Sequence, residues 1–571
     1  MAATKRKELS IMGGASIDTG QLLLGLSVII LVMSVAMPML MIIINAFFCG
    51  ATFDFKLFSK VIANPGNIGA MTNTLIVCFS VTIIGTITGL FFAWLVGRSD
   101  IPLKKTMKAL FIVPYMFPPF MGAMAWALIL SERSGYLNKW FMQITGGDTA
   151  LFNINSLAGI IFVETCYYFP FVFIQASSAL ERMDPTLEES AKIAGASQLY
   201  VIRKITLPLV KPAIAAGAVL ILISSISHFG VPAILGFSRN IYVLPTKIYE
   251  LIYSSAGSFE GIREGSALAV VLVVVVALAL ALQRYVLRAG HFEVIQGKSM
   301  RPVLMNLRQA KYPLLLISIA FLGFVTIFPL YFIIISGFLK SYGLPIIISN
   351  LTLTNFKEVL FYSKMSQDAM KNSMLLSVSA GIITMFVGTM IAYVIVKLKV
   401  KGKGILELLS VLPYSIPGIV LAVGVILVWS GKFYFNLYNT FWIILFAYIA
   451  RYMAFSMKSA SASLEQVHNS LEEAARSCGS THWGSLLDIT LPLIKPGMIA
   501  GFFLIFLPAM RELTTSLLLY GPNTRTLGVA IYSTYEEGNT VQACALASVA
   551  IAIIMLGQLA LTFITRERKG R

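Results

Sequence analysis

Several ionisable and hydroxyl side chains lie inside stretches of the chain that are otherwise apolar. These candidate residues are Glu164, Tyr167, Ser227, His228, Tyr448, Arg451, Arg511 and Glu512. An ionised group in the apolar interior of a bilayer costs roughly 2.5 to 3.5 kcal/mol, and it usually faces other protein groups or water. We therefore expect these residues to line or gate a polar pathway.

The spacing of these residues limits which of them can pair. Glu164 and Tyr167 lie three residues apart, on one helix face, and an internal repeat maps them onto Tyr448 and Arg451. We expect Glu164 and Arg451 to reach similar depths and to line or gate the pathway, as an ion pair. A buried structural pair that only locks two helices is the alternative.

The remaining polar groups, around His228 and Arg511, do not indicate a metal site. No second histidine lies near His228 in sequence, so a satisfied structural histidine is the simpler interpretation. Arg511 and Glu512 are neighbours and do not share a helix face, so a local pair is not assured. We expect both groups to lie in the outer half of the membrane.

Neither catalysis nor thiolate chemistry is indicated elsewhere. The spans carry no paired carboxylates, no H-E-x-x-H and no nucleophile beside a base, so we predict that the chain is not an enzyme. Five scattered cysteines form no C-x-x-C, and we interpret them as small apolar fillers. They are Cys49, Cys78, Cys166, Cys478 and Cys544.

Composition predicts an all-α integral membrane protein. Of 571 residues, 57% are hydrophobic and only 12% are charged, and mean hydropathy is +0.82. Twelve apolar runs reach the length that spans a bilayer. They lie near residues 20–47, 71–96, 109–130, 156–180, 212–236, 266–283, 312–338, 372–396, 404–429, 441–463, 496–520 and 542–565. No cleavage site follows the basic residues at 5–7, so we expect the first helix to remain.

Charge sets the predicted orientation and the domain boundary. The net charge of +18 reflects Lys and Arg residues that gather on one set of loops, which the positive-inside rule places, with both termini, in the cytoplasm. The excess is thus a membrane signal and not one for nucleic acid. Polar, basic residues 284–311 predict a cytoplasmic linker. It separates a first half, 1–283, from a second half, 312–571.

The two halves contain an internal repeat. Residues 180–214 match 464–498 at a constant offset of 284, with 14 of 35 positions identical, and a second match at an offset of 299 pairs Asn73 with Asn372. Six spans return the chain to the same side of the membrane. The halves should therefore be parallel and related by an axis along the membrane normal.

Each repeated segment predicts a polar helix-turn-helix on the cytoplasmic face. Gly195 and Gly479 allow a sharp turn. Prolines that we expect at helix starts follow, at Pro208, Pro212, Pro492 and Pro496. A surface helix that only anchors loops is one interpretation. Two near-copies favour another, in which a symmetric partner grips both halves and Tyr200 or Trp483 docks in its cleft.

The spacing E-x-A-x3-G-x9-I-x-L-P, which occurs at residues 189–208 and again at 473–492, resembles the EAA loop of ABC importer permeases. Ser190 departs slightly from the pattern. The resemblance implies a type I importer permease fold, with EAA loops at 181–211 and 465–495 that dock onto an ATPase. The coupling residues it implies are Glu188, Glu189, Ala191, Gly195, Tyr200, Leu207, Pro208, Glu472, Glu473, Ala475, Gly479, Trp483, Leu491 and Pro492.

The same resemblance implies the partners. No phosphate loop occurs in the chain, so ATP and Mg would be bound by a separate ATPase, in two copies. A solute-binding protein outside the bacterial inner membrane would deliver the cargo, and lipid would surround the spans. Segments 229–236 and 510–532 look like ferric-iron permeases. Related permeases carry 2-aminoethylphosphonate, thiamine, polyamines and sugar phosphates. Intramembrane arginines suit anionic cargo, whereas the family resemblance favours ferric iron.

Proline-tyrosine pairs near the start of the third and ninth spans predict kinks, and a gating role is a further hypothesis. These residues are Pro114, Tyr115, Pro118, Pro413, Tyr414 and Pro417. A secondary transporter is the rival class, because it also favours two parallel six-span halves. The repeated EAA loops and the lack of a coherent proton relay argue against it.

Overall fold

The computed structural model describes residues 19–50, 52–254, 259–289, 304–398, 400–431 and 435–566. Within these ranges the chain is almost entirely helical, as predicted. Ten helices are long and apolar enough to cross a membrane, and the number rises to twelve if two bent helix pairs each count as one span. The basic residues at 5–7, linker residues 290–303 and the C-terminal residues 567–571 lie outside the described residues.

The first half begins with a long helix and a small hairpin, in which strand β1 (Phe48–Cys49) pairs antiparallel with β2 (Thr52–Phe53). The helices of this half are α1 (Gly20–Phe47), α2 (Phe55–Ala63), α3 (Pro65–Arg98), α4 (Lys104–Met116), α5 (Pro119–Leu130), α6 (Tyr136–Thr145), α7 (Leu157–Arg182), α8 (Thr186–Ile193), α9 (Gln198–Ile226), α10 (Gly230–Gly236), α11 (Leu244–Ser254) and α12 (Glu260–Tyr285).

The second half repeats the long elements in the same order. Its helices are α13 (Arg308–Gly337), α14 (Lys364–Val396), α15 (Lys403–Ser415), α16 (Gly418–Trp429), α17 (Phe441–Leu464), α18 (Asn469–Ser477), α19 (Leu486–Met510), α20 (Ser516–Leu519), α21 (Leu527–Glu536) and α22 (Thr540–Leu559). Side chains cap several helix starts. Asn64 accepts a hydrogen bond at the start of α3, as Ser363 does at the start of α14.

The third and ninth spans are broken, where the sequence predicted continuous helices with kinks. The axes of α4 and α5 differ by 90°, and those of α15 and α16 by 113°. Phe117 and Ile416, which precede Pro118 and Pro417, both adopt extended backbone. A proline disfavours helical geometry in the residue before it, so the chain leaves the helix at each of these positions.

The fifth and eleventh spans differ from the prediction at both ends. Helix α9 starts at Gln198 and ends at Ile226, so Pro212 lies inside it and not at its start, and Pro496 lies likewise inside α19. A π-helical turn precedes Pro208 and another precedes Pro492. These widened turns let a helix continue past a residue that lacks an N–H donor.

The first helix of each half packs on the other half. Helix α1 lies along α14 to α17 of the second half, and Pro38 of α1 closely approaches Gly424 of α16. In return, α13 packs on α5 of the first half, where the rings of Trp126 and Phe324 lie 4.8 Å apart. The two halves are therefore interlocked through their first helices.

The described end of the linker is held at the C-terminal end of α3. Met305 donates a backbone hydrogen bond to the carbonyl of Arg98, and its own carbonyl accepts one from Asp100. The N–H of Leu307 donates to the Asp100 carboxylate at 2.8 Å. The start of the second half is thus tied to the first half beside its EAA loop.

Helices α3, α7 and α9 pack closely because small residues lie at their contacts. A Cβ at Gly89 would lie 2.6 Å from the carbonyl oxygen of Phe169 and 2.9 Å from Val172. Backbone would have to move to admit even one methyl group there. By contrast, a Cβ at Gly25 in α1 would have no other atom within 4 Å.

We expect Gly89→Ala to destabilise the protein by about 1–3 kcal/mol, because the added methyl group overpacks the α3–α7 contact. The thermal unfolding midpoint of purified protein in detergent measures the effect. Gly25→Ala makes the same change in another spanning helix and should leave the midpoint unchanged or slightly raised. Equal midpoints for the two variants would contradict the close packing.

Candidate functional site

A cavity of about 400 Å³ lies between the two halves, where the broken spans meet α7, α9, α17 and α19. Of the candidate residues, His228, Arg451, Arg511 and Glu512 line it. Ser227, Tyr115, Pro118 and Tyr414 line it as well. Pro114, Pro413 and Pro417 lie at the same breaks and are not among its lining residues.

On the first half, the cavity wall is built around the buried carboxylate of Glu164. Ser225 donates a hydrogen bond to one of its oxygens, and Nδ1 of His228 lies 3.1 Å from the other. The ring of Tyr168 meets the imidazole edge to face at 5.6 Å. Glu164 itself is fully buried, so His228 and Tyr168 are the parts of this cluster that reach the cavity.

On the second half, the cavity wall is built around Glu512, which is equivalent to His228 at the offset of 284. Its Oε2 lies 3.5 Å from Nε of Arg451 and accepts a hydrogen bond of 2.7 Å from the hydroxyl of Tyr452. Its Oε1 accepts two more from Thr515, from the backbone N–H and from the hydroxyl. Both oxygens of this carboxylate are therefore satisfied within one half.

The predicted ion pair between Glu164 and Arg451 is wrong. Each charge has a partner in its own half, because His228 and Glu512 occupy equivalent positions at the offset of 284. His228 contacts Glu164 of α7, and Glu512 contacts Arg451 of α17. Two further candidates turn away from the cavity. Tyr167 packs against Gly122, and the hydroxyl of Tyr448 shares a hydrogen bond of 2.7 Å with Ser516.

Sequence reasoning missed two tyrosines of the cavity wall. Tyr168 and Tyr452 both line the cavity, and each contacts the ionisable residue of its own half. They are identical residues at the offset of 284, so the repeat itself carried the signal.

Two arginines satisfy the backbone at the breaks. Nη1 of Arg511, from the second half, donates to the carbonyls of Tyr115 and Met116 in the first half, at 3.1 and 2.9 Å. Its guanidinium also lies 5.5 Å from the centre of the Tyr115 ring. Arg451 reaches the carbonyl of Ile416 at 3.5 Å. Helix ends inside a membrane need such partners, because lipid offers none.

Buried glutamates attach both EAA loops to the helices that follow. Glu188 of α8 accepts a hydrogen bond of 2.5 Å from Thr206, and Glu472 of α18 accepts one of 2.6 Å from Thr490. The second oxygen of Glu188 lies 3.5 Å from the buried guanidinium of Arg98, whereas that of Glu472 accepts from Tyr393. These two residues of the predicted coupling set therefore face the protein interior and position the loops.

The other predicted coupling residues form the outer surface of the loops. Most of them are exposed, namely Glu189, Gly195, Tyr200, Leu207, Glu473, Gly479 and Pro492. The others are half-buried, namely Ala191, Pro208, Ala475 and Leu491. Ile193 is 88% exposed and Leu199 is 74% exposed, which leaves an apolar patch uncovered on the first loop. The side chain of Trp483 lies outside the described residues.

Gly195 and Gly479 end helices α8 and α18 in the left-handed conformation, with φ of +86° and +90°. In each loop the N–H groups of the glycine and of the following residue donate back to carbonyls of the last helical turn. This arrangement makes the sharp turn that the sequence predicted. It presents the short segment after the glycine at the surface.

Within the described residues, no group of three or more His, Cys, Asp and Glu side chains is placed to hold a metal ion. Of the cysteines, Cys78, Cys166 and Cys544 are buried, as expected for apolar fillers, whereas Cys49 and Cys478 are exposed and do not fill the core.

We expect Glu512→Gln to destabilise the protein by up to about 3 kcal/mol, because Arg451 would lose its counter-charge in a largely buried site. The double variant Arg451→Met with Glu512→Gln removes both charges and should recover most of that loss. Thermal unfolding in detergent measures both variants. A double variant less stable than Glu512→Gln alone would contradict the pairing.

The sequence profile of the family described as "binding-protein-dependent transport system inner membrane component" matches residues 85–289 and 384–566. "Putative ferric transport system permease protein FbpB 1" of Haemophilus influenzae is 28% identical over 92% of this chain and 81% of its own length. "Ferric transport system permease protein FbpB" of Actinobacillus pleuropneumoniae is 28% identical, over 96% and 78%.

A third relative matches one half only. "Putative 2-aminoethylphosphonate transport system permease protein PhnV" of Salmonella typhimurium is 30% identical over 42% of this chain and 88% of its own length. The family profile occurs twice and covers well over half of the residues, once in each half. The chain therefore belongs to the family of binding-protein-dependent transport system inner membrane components, as a two-half permease of the ABC importer class that is not itself an enzyme.

Proposed function

We propose that this permease carries ferric iron across the bacterial inner membrane, with both termini in the cytoplasm. The observation that carries the cargo assignment is the extent of the likeness: two relatives named as ferric permeases match it over 92% and 96% of its length. A binding protein delivers the iron, and an ATPase on the opposite face drives the two halves between states.

The two arginines of the cavity wall both have partners within the protein. Intramembrane arginines on their own favour an anionic solute, but Arg451 is balanced by Glu512. Arg511 is engaged by backbone carbonyls and by the Tyr115 ring. Arg451 therefore has a counter-charge within the protein, whereas Arg511 keeps its positive charge. The alternative cargo, 2-aminoethylphosphonate, has the weaker support of a relative that matches only 42% of the chain.

Coupling to ATP hydrolysis runs through two loops, each docked on one of two ATPase copies that bind ATP and Mg. The exposed patch at Leu187, Ile193, Leu199 and Tyr200 suits an apolar cleft on such a subunit. The buried bonds Glu188–Thr206 and Glu472–Thr490 transmit the movement, because they fix α8 to α9 and α18 to α19. A push on either loop therefore moves a helix that lines the central cavity.

The test of cargo is uptake into proteoliposomes that contain the permease, its ATPase and its binding protein. We expect ATP-dependent uptake of radioactive iron that persists when the proton gradient is collapsed. Uptake of 2-aminoethylphosphonate without iron would reject the ferric assignment. Iron uptake that follows the proton gradient and ignores ATP depletion would instead support the secondary transporter.

In the same vesicles, we expect Gly195→Val and Gly479→Val to reduce uptake strongly while ATP hydrolysis continues. A β-branched residue is strained by about 1–2 kcal/mol in the left-handed conformation, so the turn after the coupling helix would shift. The matched control is Gly404→Val, at a helix start with open space around the Cβ position and no positive φ. Normal uptake by both loop variants would argue against this route.

The double variant Arg451→Met with Glu512→Gln separates two roles for this ion pair, one in the pathway and one in the structure. A folded double variant that hydrolyses ATP and carries no iron would assign the pair to the pathway. Wild-type uptake by the same variant would make it a structural lock between α17 and α19.

A further inference from the structure

A second cavity, of about 510 Å³, lies at the end of the pathway opposite the EAA loops. We call it the distal vestibule and define it by five tyrosines that line it. They are Tyr242, Tyr249, Tyr253, Tyr520 and Tyr532. Helices α11 and α21, which follow equivalent spans in the two halves, supply three of them. The vestibule is therefore built jointly by both halves.

An aromatic plug separates the distal vestibule from the central cavity. Phe229 follows His228 of the cavity wall and is fully buried. Its ring lies 5.3 Å from that of Tyr249 in its own half and 6.1 Å from that of Tyr532 in the other half. The Phe229 ring therefore lies between residues that line the two cavities.

The phenol hydroxyls of the vestibule have no hydrogen-bond partner within the described part of the chain. Tyr532 is the clearest case, because its side chain is only 4% exposed and yet lines the cavity. Buried polar groups in proteins are normally paired, so an unpaired hydroxyl at a cavity wall is a group that a ligand can satisfy. Of the other four tyrosines, three are half-buried and Tyr253 is 69% exposed, and all four line the same space.

Several ring faces of these tyrosines are already occupied by the protein. Tyr249 stacks on Tyr253 at 5.3 Å and faces Phe237 at 6.2 Å. The ammonium of Lys247 lies 5.0 Å from the centre of the Tyr242 ring, and the guanidinium of Arg525 lies 5.8 Å from that of Tyr520. An organic cation would need open ring faces. What these side chains offer instead is oxygen.

Carboxylates complete the donor set. Glu536 and Glu537 line the vestibule, and neither has an ion-pair partner among the described residues, while Glu250 is paired with Lys247 at 2.7 Å. Glu536 is the last residue of α21, where the helix dipole is negative and acidic side chains are disfavoured. A bound cation would balance the negative charge of the carboxylates and the negative end of the helix dipole.

We propose that the distal vestibule is a transient entry site for a hard trivalent cation, bound by phenol and carboxylate oxygens of both halves. Hard cations prefer oxygen ligands. Each phenol that coordinates the ion gives its proton to water. Resting on the proposed function, this cation is Fe³⁺ on its way from the binding protein to the plug. The site must release what it binds, so several weak donors suit it better than one tight cage.

The probe is terbium(III), a hard trivalent cation whose luminescence is sensitised by nearby tyrosine. We expect the permease–ATPase complex in nanodiscs to give saturable, tyrosine-sensitised emission that gallium(III) displaces and spermidine does not. Tyr249→Phe with Tyr532→Phe keeps both rings and removes two hydroxyls, and Glu536→Gln with Glu537→Gln removes two charges. Each double variant should bind terbium at least tenfold more weakly. Tyr331→Phe, on exposed α13 surface, is the matched control and should bind as the wild type does.

Unchanged terbium affinity in both double variants, at unchanged unfolding midpoints, would overturn the proposal, and so would displacement of terbium by spermidine. Iron uptake separates this result from the proposed function. Wild-type iron uptake by both vestibule variants would overturn the entry site and leave the ferric permease intact. The wild-type protein could also bind terbium and yet carry no iron. If the variants then lost terbium binding, the result would support the trivalent-cation site and reject the ferric function.

Discussion

Backbone carbonyls that are freed inside a membrane must find a partner, and in this protein two arginines provide it. The breaks at Pro118 and Pro417 create the cavity, because each turns a span aside where a straight helix would fill the space between the halves. Arg511 and Arg451 bind the carbonyls at these breaks. Glu512 is then needed to balance Arg451, and Tyr452 and Thr515 to satisfy Glu512. The polar clusters of the second half follow from one backbone requirement.

This network also explains why the two halves differ in chemistry while they agree in shape. Arg511 crosses to the first half, so one arginine serves a break in each half and both come from the second. The first half has Ser227 at the position equivalent to Arg511 and uses Glu164 and His228 to close its own wall. The symmetric folds therefore enclose a cavity whose charges are distributed asymmetrically.

Hydropathy and the repeat were sufficient to predict most of the spans, the parallel halves and the turns at Gly195 and Gly479, because each depends on local composition or on one residue type. They did not predict the breaks in the third and ninth spans or the ends of the fifth and eleventh. Partners were harder to predict. Glu164 and Arg451 occupy comparable positions, but which charge reaches which depends on helix rotation and on the breaks, and neither is encoded in spacing. The burial of Glu188 and Glu472 was hidden for a similar reason, since a polar helix does not reveal which of its faces packs on the next helix. The exchange of α1 and α13 between halves leaves no local signal at all.

That exchange constrains the order in which the protein can be assembled. Helix α1 is made first, yet much of its packing surface is provided by α14 to α17, and the chain must grow by about 400 residues before the last of these exists. At ~5 to 20 residues per second, synthesis of that length takes on the order of 20–80 s. Trp126 of the first half likewise stays uncovered until α13, which carries Phe324, has been synthesised. Neither half can complete its core while it is the only half present, so the membrane holds an unfinished bundle of helices for most of the time that the ribosome is at work.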